Sequence, residues 1–259
     1  MVQVVIPMTG YGSRFVSAGY TRLKPFIQVF GKTIIEHIVS MYDEDNTKFI
    51  FICREEHLKT KPEFHILKNI VKHYEIVSLK TWEKRGPVND FYKICKLGKI
   101  DYNLPVIINY CDFFCLWNSN NFITECKQKN CAGAIPCYTS FHPHLIHKNN
   151  IYASCDIDEN NNLKEIREKF SFNKNKFLSH HSPGIYYFST GKIAESYSKK
   201  LLLSNNSING EYYASLIYNY MVKDDLTVWC PDNISYFCQW GTPLDLEEFE
   251  FYINVLNDK

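Results

Sequence analysis

Hydrophobic positions along the chain follow two alternating periods. Val4-Val5-Ile6, Phe49-Ile50-Phe51-Ile52-Cys53 and Val106-Ile107-Ile108 are short runs that are apolar at every position, the pattern of interior strands covered on both faces. Between them apolar residues recur at helical spacing. Ile34, Ile35, Ile38 and Met41 form one such stripe, with Thr33 placed as N-cap and Glu36 three residues on to complete a capping box. A helix over 63–72, a strand over 74–79, a helix opened by Gly86-Pro87 over 89–97 and a strand over 106–110 continue the rhythm. It predicts a largely parallel sheet with right-handed crossovers, and ligands at the C-terminal ends of its strands.

From residue 132 the pattern becomes strand-rich, with expected strands at 133–138, 152–156, 163–168 and 184–188. The polar run Asp158-Glu159-Asn160-Asn161-Asn162 predicts the turn of a hairpin. Helices are expected at 192–202 and 211–221, a strand at 226–230, and a last helix from Pro243, a favourable first-turn residue, to about residue 254. The Asn-rich patches at 149–150, 160–162 and 205–206 read as loops. With no linker or internal repeat, a single domain over residues 1–259 is expected.

Composition narrows the function classes. At 259 residues, 45% of them hydrophobic and 15% aromatic, the chain can bury a sizeable core. Its 29 basic residues are balanced by 28 acidic ones, so no global field recruits nucleic acid or a membrane surface, and neither partner is expected. The N-terminus runs straight into a strand pattern, and no window approaches the roughly 18 apolar residues of a membrane span, which predicts a cytoplasmic protein. The ten cysteines are scattered without a CxxC pair and read as reduced core residues. His142-Pro143-His144 and His180-His181 lack a neighbouring Cys or acid at ligand spacing and read as surface or core histidines.

The chemistry begins where the first strand breaks. Met8-Thr9-Gly10-Tyr11-Gly12-Ser13-Arg14, closed by Leu23-Lys24-Pro25, has the makings of a triphosphate cradle. Gly10 and Gly12 allow left-handed backbone with N–H groups aimed at one anion. Arg14 and Lys24 add full charges, one a planar fork and the other a movable point charge.

This loop, with Val29-x-Gly31-Lys32-x-x-Ile35-Glu36, resembles the signature of the sugar-1-phosphate nucleotidyltransferase family. The order of further landmarks extends the resemblance over most of the chain: Asp112 after a strand, the pair Glu168-Lys169, Gly184, and Gly241-Thr242-Pro243-Leu244-Asp245-Leu246. The branch it is most similar to is the compact, tail-less set associated with capsule and surface-polysaccharide assembly. The resemblance implies a GT-A-like, Rossmann-related three-layer α/β/α sandwich with a mostly parallel mixed sheet. It also implies transfer of NMP from an NTP to a phosphorylated acceptor, foremost a sugar 1-phosphate, with release of pyrophosphate. Two other readings stand beside it: a CTP-dependent enzyme for a non-sugar phosphate such as phosphoglutamine or phosphocholine, and a non-catalytic nucleotide-binding homologue. A homo-oligomer is compatible with any of them.

On this resemblance Arg14 holds the β- and γ-phosphates, Lys24 bridges the α-phosphate and the incoming phosphate, and Asp112 is a Mg²⁺ ligand. Met8 to Ser13, with Gly86, Pro87 and Asn89, fall in the nucleotide site, and Glu168, Lys169, Gly184, Glu211 and Gln239 on the acceptor side. Two departures stand out. Leu23 replaces the usual proline before the lysine, which predicts a less rigid Lys24. Gln239 replaces the second metal carboxylate, so either Asp112, the phosphates and water hold the ion, which is the preferred expectation, or another acid such as Glu211 substitutes, or metal use is altered.

Overall fold

The computed structural model describes residues 1–80 and 85–257. Strand β1 (Val2–Met8) leads through the short helix α1 (Ser13–Ser17) and the two-residue strands β2 (Gln28–Val29) and β3 (Lys32–Thr33) to helix α2 (Ile34–Val39). There follow β4 (Thr47–Arg54), α3 (Glu55–Thr60), β5 (Tyr74–Leu79), α4 (Pro87–Lys96), β6 (Val106–Asn109), β7 (Phe113–Trp117) and α5 (Ser119–Gln128). The second half contains β8 (Gly133–Ala134), β9 (Ser154–Ile157), β10 (Leu163–Arg167), β11 (His180–His181), β12 (Ile185–Phe188), α6 (Gly191–Leu203), α7 (Ile217–Lys223), β13 (Val228–Trp229), β14 (Ile234–Gln239) and α8 (Pro243–Asn257).

Seven strands form the central sheet in the order β13-β8-β12-β6-β1-β4-β5. All neighbours run parallel except β12, which is antiparallel to both β6 and β8. Side-chain alternation along each strand divides the core in two. Val4 and Ile6 of β1 and Phe49, Phe51 and Cys53 of β4 face a cluster completed by α2, α5 and the β7–β14 pair. Val5, Ile50 and Ile52 face the opposite cluster, built on α4, α6 and α7. This is the expected α/β/α sandwich with a mostly parallel mixed sheet. A separate three-stranded sheet, β10-β9-β11, lies beside it.

The capping box forms as expected: Thr33 Oγ1 accepts from the Glu36 amide, and the Glu36 carboxylate accepts from the Thr33 amide at 2.6 Å. In the β9–β10 turn Asp158 accepts from the amides of Asn160 and Asn162. Other elements differ from expectation. Residues Pro62–Lys68 form a 3-10 helix rather than an α-helix over 63–72, with Phe64 and Leu67 buried at its threefold spacing. The strand expected over 133–138 stops after Ala134 because Pro136 has no N–H to donate. Its neighbours Ile135 and Cys137 still bond along the chain to Trp229 and Pro231. The helix expected from residue 211 begins with a 3-10 turn at Ala214, and Glu211 to Tyr213 are drawn against Gly86.

Candidate active site

The loop after β1 is braced from the neighbouring strand. Arg54, at the end of β4 and 5% exposed, donates to the Thr9 carbonyl through Nε at 3.2 Å and Nη2 at 3.0 Å. Its Nη1 donates to the Tyr11 hydroxyl at 2.9 Å, and its guanidinium stands 3.9 Å above the Tyr11 ring. Thr9 Oγ1 donates to the Asp90 carboxylate of α4, whose pKa is raised, chiefly by burial. Gly12 sits at φ 62° before α1 and accepts from the amides of Phe15 and Val16. Among the described residues, the amides of Tyr11 through Arg14 donate to no other group, leaving a row of N–H donors for an anion.

Lys24 abuts this loop: a Cβ placed on Gly12 would lie 3.6 Å from the Lys24 Cβ. Leu23 holds the approach at φ −64° and is buried. That is the φ a proline would impose, so Leu23 gives the backbone here the same local direction. Lys24 Nζ donates to Asp112 Oδ2 at 3.1 Å. Burial pulls the Lys24 ammonium down, but Asp112 and then the Cys111 thiol outweigh it and hold its pKa above the ordinary lysine value. Arg14 pulls the same ammonium the other way. Lys24 thus feels both Asp112 and the exposed Arg14, the three residues that the sequence resemblance places together.

Asp112 follows β6, where Asn109 is fixed by the Tyr42 hydroxyl at 2.6 Å and Tyr110 by the Gly184 carbonyl at 3.0 Å. Gly184 has φ 109°, and a Cβ there would come within 2.9 Å of Phe113 and 3.2 Å of Tyr110, so a side chain would push into the segment that carries Asp112. The Asp112 carbonyl accepts from the Trp240 amide at 2.8 Å. Next to it the Gln239 amide nitrogen, Asp245 Oδ2 and Asp112 Oδ2 converge on Gly241, at 2.5, 3.5 and 3.6 Å from where its Cβ would stand.

Asp245 is a residue that the reading of the sequence missed as a site group, although it lies in the closing motif. In the first turn of α8, it accepts from the Thr242 amide at 2.7 Å and from His144 Nε2 at 3.1 Å. Burial raises its pKa, but the bonds from His144 and Thr242 prevail and lower it below the ordinary carboxylate value. His144 in turn contacts the Tyr152 hydroxyl at 2.8 Å. Burial holds the neighbouring His142 down at about 4. Residues 138–144 wall a 740 Å³ cavity with β14 and α8, which meets the site at Gln239 and Asp245.

The Gly86 loop, expected to read the base, packs against Glu211 and Tyr212. Gly86, at φ 85°, caps α4 with Pro87 in its first turn. A Cβ there would meet the backbone N and O of Tyr212 at 2.7 and 2.8 Å, so only glycine fits. Tyr212 and Val88 bond across this contact, Tyr212 N to the Arg85 carbonyl and Val88 N to the Tyr212 carbonyl. Asn89 is buried and touches Asp90 at 3.5 Å, which places its amide beside the Thr9 brace.

On the acceptor side the candidates divide. Glu168 accepts from Ser215 Oγ, its pKa raised chiefly by burial, and its charge is felt at Tyr110, Tyr186 and Tyr213. Tyr213 also feels Arg14 and donates to Glu211 at 3.3 Å. Glu211 therefore lies between the Gly86 loop and Tyr213. Lys169 takes a left-handed turn at φ 53° and points to solvent. Arg54 and Asp90 were not legible as site residues because their roles arise from strand and helix adjacency alone.

No protein-family model matches the chain, and no curated protein matches it. Solved structures do. A nucleoside-diphosphate-sugar pyrophosphorylase from Vibrio cholerae RC9 superposes with a TM-score of 0.77 at 20% identity, over 96% of this chain and 99% of that one. A protein described as a glucose-1-phosphate thymidylyltransferase from Bacillus anthracis gives 0.74 at 16% identity, over 97% and 95%. A UDP-glucose pyrophosphorylase in complex with UDP-glucose gives 0.71 at 15% identity, over 98% and 99%. The chain therefore has the fold of the sugar nucleotidyltransferases, built over its whole length.

Proposed function

We propose that the protein is a nucleotidyltransferase of the sugar-1-phosphate family, which joins NMP from an NTP to a phosphorylated acceptor and releases pyrophosphate. The observation that carries this is the abutment of the Gly10–Arg14 loop, with its undonated amides, against the Lys24–Asp112 pair. An acceptor phosphate oxygen attacks the α-phosphorus, and the bond to the β-phosphate oxygen breaks. The loop amides and Arg14 hold the departing pyrophosphate. Lys24 neutralises charge at the five-coordinate phosphorus, its proton kept by Asp112. No protein nucleophile is required.

The donor set suits a hard cation. Among the described residues no hydrogen bond reaches the second carboxylate oxygen of Asp112, which suits it as a hard-cation ligand, while the Gln239 amide nitrogen lies near Asp112 Oδ2 at Gly241. Asp112 would hold Mg²⁺ there, and the ion would supply positive charge against the charge that develops in the transfer. Asp245 is committed to His144 and Thr242 and shapes this corner from behind.

The names of the similar structures support a sugar 1-phosphate as acceptor and nucleotide-sugar synthesis; capsule or surface glycan as the destination and the cytoplasm as the place are our reading of the sequence resemblance and of the strand pattern that opens the chain. No helix of the described residues is long and apolar enough to cross a membrane. Pyrophosphate release with each of the four NTPs, Mg²⁺ and a panel of acceptors tests the reading. Release with one NTP and a sugar 1-phosphate is the expected result. Release only with CTP and phosphocholine or phosphoglutamine would move the acceptor to the non-sugar class, and nucleotide binding without release would make the protein a non-catalytic homologue.

A further inference from the structure

Three cysteines unused by this chemistry meet in the core. Cys137 follows β8, Cys155 lies in β9 and Cys230 follows β13, yet their Sγ atoms all lie within 4.8 Å of one another. Cys137 and Cys155 are 3.9 Å apart, and all three are buried. Their places are set by the backbone. Cys137 N donates to the Pro231 carbonyl at 2.8 Å and Cys230 N to the Asn161 carbonyl at 2.7 Å, while Cys155 is paired on both sides by β10 and β11. Zinc–sulfur bonds of about 2.3 Å in tetrahedral geometry put ligand sulfurs roughly 3.8 Å apart, close to the 3.9 Å between Cys137 and Cys155 and within reach of the 4.8 Å bound on the group.

Packing of apolar side chains does not require three thiols at one point, since a cysteine in a core acts as a small hydrophobe. Convergence of three from separate segments is the donor set that soft cations select. The protons are also unevenly held. Hydrogen bonds from Cys137 and Cys230 pull the Cys155 thiol down, whereas burial pushes the other two up.

We propose that Cys137, Cys155 and Cys230 form a structural site for a thiophilic cation, zinc(II) foremost, that ties the three-stranded sheet to the edge of the central sheet. The site is independent of the nucleotidyltransferase reading. Binding would displace the thiol protons and add its free energy to that of the fold.

Titrating the fully reduced protein with cobalt(II) should produce thiolate-to-metal charge-transfer absorption that saturates at one ion per chain and is displaced by zinc(II). Cys137→Ser should abolish this band, while Cys95→Ser, a buried cysteine outside the group, should retain it. Zinc(II) should also raise the Tm of the unmodified protein by several degrees, reversibly on chelation, so the test does not depend on the folding of a variant. Absence of both the band and the Tm shift at excess metal would overturn the proposal, as would a band that survives in Cys137→Ser.

Discussion

Asp112 is held by a lysine, a backbone amide and a glycine crossing at once: Lys24 Nζ at 3.1 Å, the Trp240 amide on its carbonyl at 2.8 Å, and Gly241 alongside. Its charge keeps Lys24 protonated within a largely buried setting. Asp112→Asn preserves the shape and removes that charge. We expect kcat for pyrophosphate release to fall about 10²–10³-fold, the cost of losing one preorganised electrostatic contact, with nucleotide binding retained. Arg54→Lys cannot reproduce the fork onto the Thr9 carbonyl and Tyr11 hydroxyl. The Kd for NTP, measured by calorimetry, should rise about tenfold, equivalent to one charged hydrogen bond of about 1.5 kcal/mol. An unchanged Kd would remove Arg54 from the donor site. Gly86→Ala combines a left-handed backbone with a collision at Tyr212, and should cost at least 1–3 kcal/mol in denaturant unfolding.

Among the elements, α8 is fastened by its first turn, where Asp245 joins Thr242 to His144. The lowered pKa of Asp245 makes this fastening pH-dependent. A carboxylate with a folded pKa below its unfolded value of about 3.9 stabilises the fold above that value, and the contribution is lost as pH falls through the lowered one. Urea midpoints of the native chain and Asp245→Asn should therefore differ at pH 7 and converge in acid; a constant gap from pH 7 to 3 would contradict the assignment. Local signals foretold the elements whose chemistry is local: the Thr33–Glu36 box, the Asp158 turn, and Pro87 opening α4. They failed where long-range contacts decide. Among the described residues strands β7 and β14 pair only with each other, so neither alternates cleanly against a core, and α5 has just three apolar residues, Phe122, Ile123 and Cys126, to mark its buried face. The segment 211–213 reads as helix but is held out of one by the Arg85–Val88 segment, which bonds Tyr212 on both its backbone groups.

For the whole molecule, the two cores on either side of one sheet bring β1, β4 and β6 out at a common edge, where Thr9, Arg54 and Asp112 assemble from segments about fifty residues apart in sequence. The glycine loop and Asp112 were legible because they follow strand ends, and Lys24 because it closes the glycine loop in a recognisable order. Asp90, Arg54 and Asp245 were not, since a helix acid, a strand arginine and a helix aspartate carry no mark of the partners that folding gives them. The most direct measurement of the central claim follows the α-phosphorus itself. With an NTP radiolabelled at that atom, Mg²⁺ and a sugar 1-phosphate, the label should appear in a nucleoside-diphosphate sugar as unlabelled pyrophosphate accumulates in equal amount, and Asp112→Asn should suppress both. Label that remains in NTP across all four bases and the acceptor panel, in protein shown to bind nucleotide, would contradict it.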